Sequence, residues 1–105
     1  MQLSELFEKK KFVITSEIGP PKGWQVEKQK QKAELLRGKV DAINVTDNQS
    51  SIMRLGSLAM CHLLKEMNLE PIFQITCRDR NRLGLQSDIL SAYALGIENI
   101  LCLTG

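Results

Sequence analysis

The sequence predicts an α/β fold of four parallel βα units, arranged as the amino-terminal half of a (β/α)8 barrel. Three observations predict it. First, strand-like segments start near Phe12, Val40, Glu70 and Ile97, at steps of 27 to 30 residues, and each interval is long enough for one helix. Second, each segment ends in a polar or charged residue, as strands do whose carboxyl ends open into a site. Third, side chains two apart in a strand share a face. Thr15 with Glu17, Asn44 with Thr46, Gln74 with Thr76 and Cys102 with Thr104 would then line a common polar interior. Ile14, Ile43, Val45, Phe73, Ile75, Leu101 and Leu103 would face covering helices. One polar face favours a barrel over a flat sheet with both faces covered. No glycine-rich GxGxxG string follows the first strand, which argues against a dinucleotide fold of the Rossmann type.

In order along the chain, residues 3–10 read as a short leading helix with Ser4 near its start. Phe12 to Glu17 is a β-branched, apolar strand stopped by Gly19-Pro20-Pro21, because proline cannot extend a ladder. Trp24 to Arg37 is a helix with a thin apolar face (Trp24, Ala33, Leu36), closed by Gly38. Val40 to Thr46 is the second strand, followed by the loop Asp47–Ser51. Ile52 to Met67 reads as a strongly apolar helix, with Met53, Met60 and Met67 as core residues. Glu70 to Cys77 is the third strand, with Pro71 near its start, where a missing N–H is tolerated. Arg78–Arg82 is a charged loop. Leu83 to Leu95 is a helix closed by Gly96, and Ile97 to Thr104 is the fourth strand.

Bulk properties narrow the function. The 105 residues suffice for one small core, with 43% hydrophobic and 25% charged residues, ordinary values for a globular chain. A net charge of +2 gives no case for nucleic acid or an anionic membrane surface. Three cysteines without CxxC spacing point to reduced thiols and a cytoplasmic protein. The opening MQLSELFEKKKF lacks the apolar run of a signal peptide, and no segment approaches a membrane span. The stretch from Ile97 to Gly105 reads as a buried parallel strand with no helix to cover it. Residues 1–105 are therefore expected to be a single partial domain of a longer polypeptide.

Glu17 is the candidate catalytic residue. A carboxylate ending an apolar strand would be partly desolvated, which raises its pKa and suits a general acid near neutral pH; the alternative is an exposed or salt-bridged glutamate. Thr46 and the following Asp47-Asn48-Gln49-Ser50 could bond a polar ligand or simply cap the next helix. Gln74 and Thr76, polar inside a core strand, each need a partner, since burial without one costs about 1–3 kcal/mol. That partner is a buried water, a neighbouring strand residue or a ligand edge. Arg78, Arg80 and Arg82 could clamp phosphate or form a structural network with nearby acids. His62 has no second ligand at metal-binding spacing and reads as a helix-surface or interface residue, so no metal site is expected.

The strings SEIGPPKG (Ser16 to Gly23), DAINVTDNQSS (Asp41 to Ser51), QITCRDRNRLGLQSDIL (Gln74 to Leu90) and ALGIENILCLTG (Ala94 to Gly105), in this order, carry a family likeness. Together they resemble the methylenetetrahydrofolate reductase family, from about Phe12 to Gly105. They look most like the shorter bacterial members and the reductase halves of fused homocysteine methyltransferases. The resemblance implies a (β/α)8 barrel holding FAD at its strand ends. It implies hydride transfer from NADH or NADPH through the flavin, reducing 5,10-methylenetetrahydrofolate to 5-methyltetrahydrofolate in one-carbon metabolism. It makes Glu17 the general acid that helps open the methylene bridge, and Thr46 a flavin contact. Gln74 stands where some members carry histidine, Asp47 where some carry an aromatic, and Thr104 where some carry arginine. The aspartate of the family's L-(R/T)-G-D string would follow Gly105. The cofactor-binding candidates are thus Thr46, Gln74, Thr76 and Thr104, with folate as substrate.

Half a barrel leaves two strand edges unpaired. The isolated 105 residues are therefore expected to be inactive and to bind FAD weakly or not at all. Homo-oligomerisation or assembly with another subunit is expected instead. Two other classes stay open: a non-catalytic half-barrel that pairs with itself or a partner chain, and a small βα protein binding a phosphorylated ligand through Arg78–Arg82.

Overall fold

The computed structural model describes residues 1–9 and 12–105. The elements run α1 (Leu3–Lys9), β1 (Thr15–Ile18), α2 (Glu27–Leu36), β2 (Ala42–Val45), a 3-10 turn (Gln49–Ser51), α3 (Ser57–Glu66), β3 (Pro71–Thr76), α4 (Arg82–Ala94) and β4 (Ile100–Leu103). The expected end of the leading helix at Lys10 lies outside the described residues. The four strands are parallel and stand in the order β1-β2-β3-β4.

That consecutive order, with α2, α3 and α4 on one face, is the arrangement of half a (β/α)8 barrel. A doubly wound sheet would reverse its strand order to cover both faces. Ala33 of α2, Met60, Cys61 and Leu64 of α3 and Ala92 of α4 pack with Ile18, Ile43, Val45, Phe73 and Ile75 into one core. The opposite face carries Thr15, Glu17, Asn44, Gln74 and Thr76; Glu17 pairs in register with Asn44, while Thr15 pairs with Ala42 and Asn44, on its other side, with Ile72. α1 lies beneath the amino ends of β3 and β4. There Leu3 N donates to Asn99 Oδ1 at 2.8 Å and Asn99 Nδ2 donates to the Met1 carbonyl at 2.8 Å.

Several expected boundaries shift, each for a tertiary reason. β1 starts at Thr15 rather than Phe12: register pairing with β2 begins with Thr15 beside Ala42, and just ahead of it Ile14 N bonds the Asp41 side chain instead of a strand carbonyl, at 2.9 Å. It also runs one residue past Glu17, to the buried Ile18. The predicted helix over 52–67 is helical only from Ser57 to Glu66. Residues ahead of it form a strap over the end of β1: Leu55 N donates to the Pro21 carbonyl at 2.8 Å, and Arg54 Nη1 to that of Pro20 at 3.3 Å. Asn48, Ser50 and Ser51 adopt positive φ to make that turn. Met53 is consequently 73% exposed and not a core residue, whereas Met60 is fully buried and Met67 packs against the core.

β4 reverses the expected parity. Leu101 pairs with Gln74 and Leu103 with Thr76, so the leucines face the open side, while Cys102 pairs with Ile75 on the helix side. The segment ILCL is apolar at nearly every position, so alternation carries no signal. Its register is set by β3, through Phe73 N to the Asn99 carbonyl (2.9 Å) and Cys77 N to the Leu103 carbonyl (3.1 Å). Ile97 belongs to the turn that closes α4, where its N–H bonds the Ala92 carbonyl at 3.0 Å, and not to the strand. Among the described residues no helix is long and apolar enough to cross a membrane.

Candidate functional site

The carboxyl ends of β2, β3 and β4 border an open cavity of about 350 Å³. Thr46, Gln74, Thr76 and Thr104 all line it, joined by Asp47, Gln49, Arg78, Leu103 and Gly105. Four of the five site residues expected from the sequence are thereby brought together. A larger hollow of about 520 Å³ opens at the amino ends of the strands beside α1, the end that reads as structural in parallel α/β folds.

Thr46 follows β2 directly, and its N–H bonds the Ile18 carbonyl at 3.3 Å. Its hydroxyl Oγ1 is buried and has no hydrogen-bond partner. Such a group costs about 1–3 kcal/mol while unmet. Space has been left beside it: a methyl group added to Gly19 would sit 3.5 Å from both Thr46 Oγ1 and Gln49 Nε2. Gln74 is also buried, and its Nε2 donates to Asn44 Oδ1 across a long 3.5 Å. Leu103 adds an apolar wall. This combination, an apolar wall with a free hydroxyl and an amide at its edge, suits a flat ring with polar atoms along one side.

Thr76 differs from Thr46, because its hydroxyl is already engaged. Thr76 Oγ1 donates to Asp47 Oδ2 at 3.1 Å, and Thr76 N donates to the same oxygen at 2.9 Å. Asp47 is buried, and both its oxygens accept from Arg80, Oδ1 from Nη2 at 3.0 Å and Oδ2 from Nη1. Arg80 also donates to Asp88 Oδ2 (3.2 Å) and to the Thr76 carbonyl (3.0 Å). Burial pushes the Asp47 carboxyl up, but the hydrogen bonds from Arg80 and Thr76 and the Arg80 charge outweigh it and hold the group below the usual carboxylate range. The charged loop is thus a structural network at Arg80, as one of its two sequence readings anticipated. Arg78 pairs with the exposed Asp79 and donates to the Asn48 carbonyl at 2.8 Å. Gly105, with φ of +96°, packs so closely on Arg78 that an added Cβ would lie 2.7 Å from Arg78 Cβ.

Glu17 stands apart from the cavity lining. It is on the open face, paired in register with Asn44, and it is exposed. The desolvation expected for it is not supplied by the described residues, because β1 is an edge strand whose open side nothing covers. Asp47 is the site residue whose role was least legible in the sequence; its spacing to Arg80 spans 33 residues. The signal was a lone acid after a strand together with an arginine-rich loop after the next one. His62 is half-exposed on α3 and its Nε2 lies 2.7 Å from Glu66 Oε1, one turn away. Among the described residues no group of three or more histidines, cysteines or acids could hold a metal ion.

A family model described as methylenetetrahydrofolate reductase matches residues 2–105. Comparison with curated proteins gives no match.

Proposed function

Because the chain belongs to the methylenetetrahydrofolate reductase family, we propose that it forms one wall of a flavin-dependent reductase site acting on 5,10-methylenetetrahydrofolate. The observation that carries this reading is the buried, unpartnered hydroxyl of Thr46 at the cavity edge. A flavin fits the residues present. Its ring system has hydrogen-bonding atoms along one edge for Thr46 and Gln74, and an apolar face for Leu103. At about 350 Å³ the cavity is at the small end of ligand sites, room for the ring system but not for a whole dinucleotide, whose remainder would run past Thr104 and Arg78.

FAD, when bound, supplies hydride transfer from NADH or NADPH to the folate. The chain's own contributions are positioning and a proton. Thr46 and Gln74 orient the ring edge. Glu17, on the same open face beside Asn44, holds a proton on its carboxyl oxygen and gives it to the bridge nitrogen as the methylene bridge opens. Covering β1 with further barrel strands would bring Glu17 inside the barrel beside the bound ring. On this reading residues 1–105 form half of the site and turn over no substrate alone.

The test compares the full-length gene product with residues 1–105 alone, for bound flavin and for formation of 5-methyltetrahydrofolate. Turnover is expected only in the former, with Glu17→Gln lowering it about 10²–10⁴-fold, the range for losing a general acid. Flavin-coloured, active 1–105 would refute the half-site reading, and an active Glu17→Gln variant would refute the assignment of the acid.

A second reading is supported by the uncovered edge of β4, where Ile100, Leu101 and Leu103 are each about 40% exposed. A non-catalytic half-barrel would pair this edge with another copy or subunit. Light scattering after size exclusion tests the pairing, and the two readings part on the full-length gene product: a dimer of residues 1–105 together with a full-length product that binds no flavin and forms no 5-methyltetrahydrofolate supports the second reading.

A further inference from the structure

The β2–β3 ladder ends at Val45 beside Phe73. Continued in register, Asn48 would stand beside Thr76, but Asn48 turns away at φ of 43°. The Thr76 N–H, in a fully buried strand, is therefore left without a backbone acceptor on that side. The Asp47 carboxylate takes the carbonyl's place, accepting Thr76 N at 2.9 Å and Thr76 Oγ1 at 3.1 Å. Arg80 holds the same carboxylate through both terminal nitrogens and is itself anchored by Asp88.

We infer that Asp47, clamped by Arg80 at the end of β2, is a positioning residue that holds the free hydroxyl of Thr46 at the cavity edge and commits that of Thr76 to the clamp. Successive residues of an extended chain point to opposite sides. Asp47 locked towards Arg80 leaves Thr46 facing the open side. The Thr76 proton is spent on Asp47, and Arg80 Nη1 lies 3.4 Å from the Thr76 oxygen. Of these two hydroxyls, Thr46 alone is left able to donate. The site thereby selects a ligand edge that presents an acceptor at that point. Arg80, neutralised by Asp47 and Asp88, offers no free charge for a phosphate there.

The inference rests on the flavin reading, and its test separates the two. FAD affinity is measured by flavin fluorescence in the full-length gene product, for wild type, Thr46→Val, Asp47→Asn and the double variant. Asp47→Asn keeps an oxygen for the Thr76 N–H and removes the charge that grips Arg80. Thr76 amide exchange, measured without flavin, checks that the fold persists. Each single change is expected to weaken FAD about 5- to 10-fold, one hydrogen bond's worth, with the same displacement of the bound flavin's absorption band. The double variant is expected to lose no more than either single one, because Asp47 acts through Thr46. Additive losses, or an Asp47→Asn affinity within about twofold of wild type, overturn the positioning role while leaving the flavin reading intact. A wild type that binds no FAD, or a Thr46→Val variant that binds it unchanged, overturns both.

Discussion

Replacing Arg80 with methionine isolates what the clamp does for the fold. Asp47 has no exposed side-chain surface, and Arg80 is 18% exposed. Methionine keeps most of the arginine's volume but leaves the carboxylate with only its two Thr76 donors. Removing one partner of a buried ion pair costs about 3–5 kcal/mol. The surviving Thr76 bonds and the partial exposure of Arg80 put the expected loss near the lower end, about 3 kcal/mol. For a domain of this size that corresponds to a fall in Tm of about 12–24 °C, a large share of ordinary stability. The loss depends on pH with a definite sign. In the wild type the Asp47 carboxyl is depressed in the folded state, so its contribution is present above the usual carboxylate range and disappears as pH falls through the folded-state value. Without Arg80, burial is opposed only by the two Thr76 hydrogen bonds, so the Asp47 carboxyl moves up relative to the wild type. The Arg80→Met deficit should therefore be largest at neutral pH and shrink on acidification. Adding Asp47→Asn to Arg80→Met should recover part of the stability, since no buried charge remains. Urea denaturation at pH 7 and pH 4.5 reads all three. A deficit under about 0.5 kcal/mol, or one that grows as pH falls, would refute a buried and charge-dependent clamp.

Thr46→Val removes a buried hydroxyl that nothing in the chain satisfies, so the flavin-free protein should be unchanged or up to about 1 kcal/mol more stable in urea denaturation. Destabilisation of more than about 1 kcal/mol would show that the hydroxyl does have a partner in the fold. The cysteines should separate by reactivity at pH 8: Cys77 and Cys102 are exposed, whereas Cys61 is buried and its thiol is pushed up to about 12 by burial. A thiol-disulfide reagent should modify the two exposed cysteines quickly and Cys61 only after unfolding; rapid modification of all three in the native protein would contradict the packing of α3 against the sheet.

Periodicity and strand-end polarity were enough to determine the parallel βα rhythm, the facing of Glu17, Asn44, Gln74 and Thr76, and the convergence of Thr46, Gln74 and Thr76; Thr104 lines the cavity although the alternation that placed it with Cys102 fails. These depend on backbone alternation and on burial, which act locally and leave a pattern in neighbouring residues. The facing of β4 was not legible, because a strand apolar on both sides has its register assigned by the partner strand alone. Nor was the strap ahead of α3, where bonds to Pro20 and Pro21 override a run that reads as helix. Asp47 and Arg80 each look like ordinary loop charges in the chain. Only the alignment of β2 against β3 brings them together, buries the acid and leaves Thr46 free, because an ion pair between distant residues is chosen by distance and desolvation in the folded molecule and not by spacing along it. The exposure of Glu17 follows likewise from its place on an edge strand, which the tertiary arrangement decided.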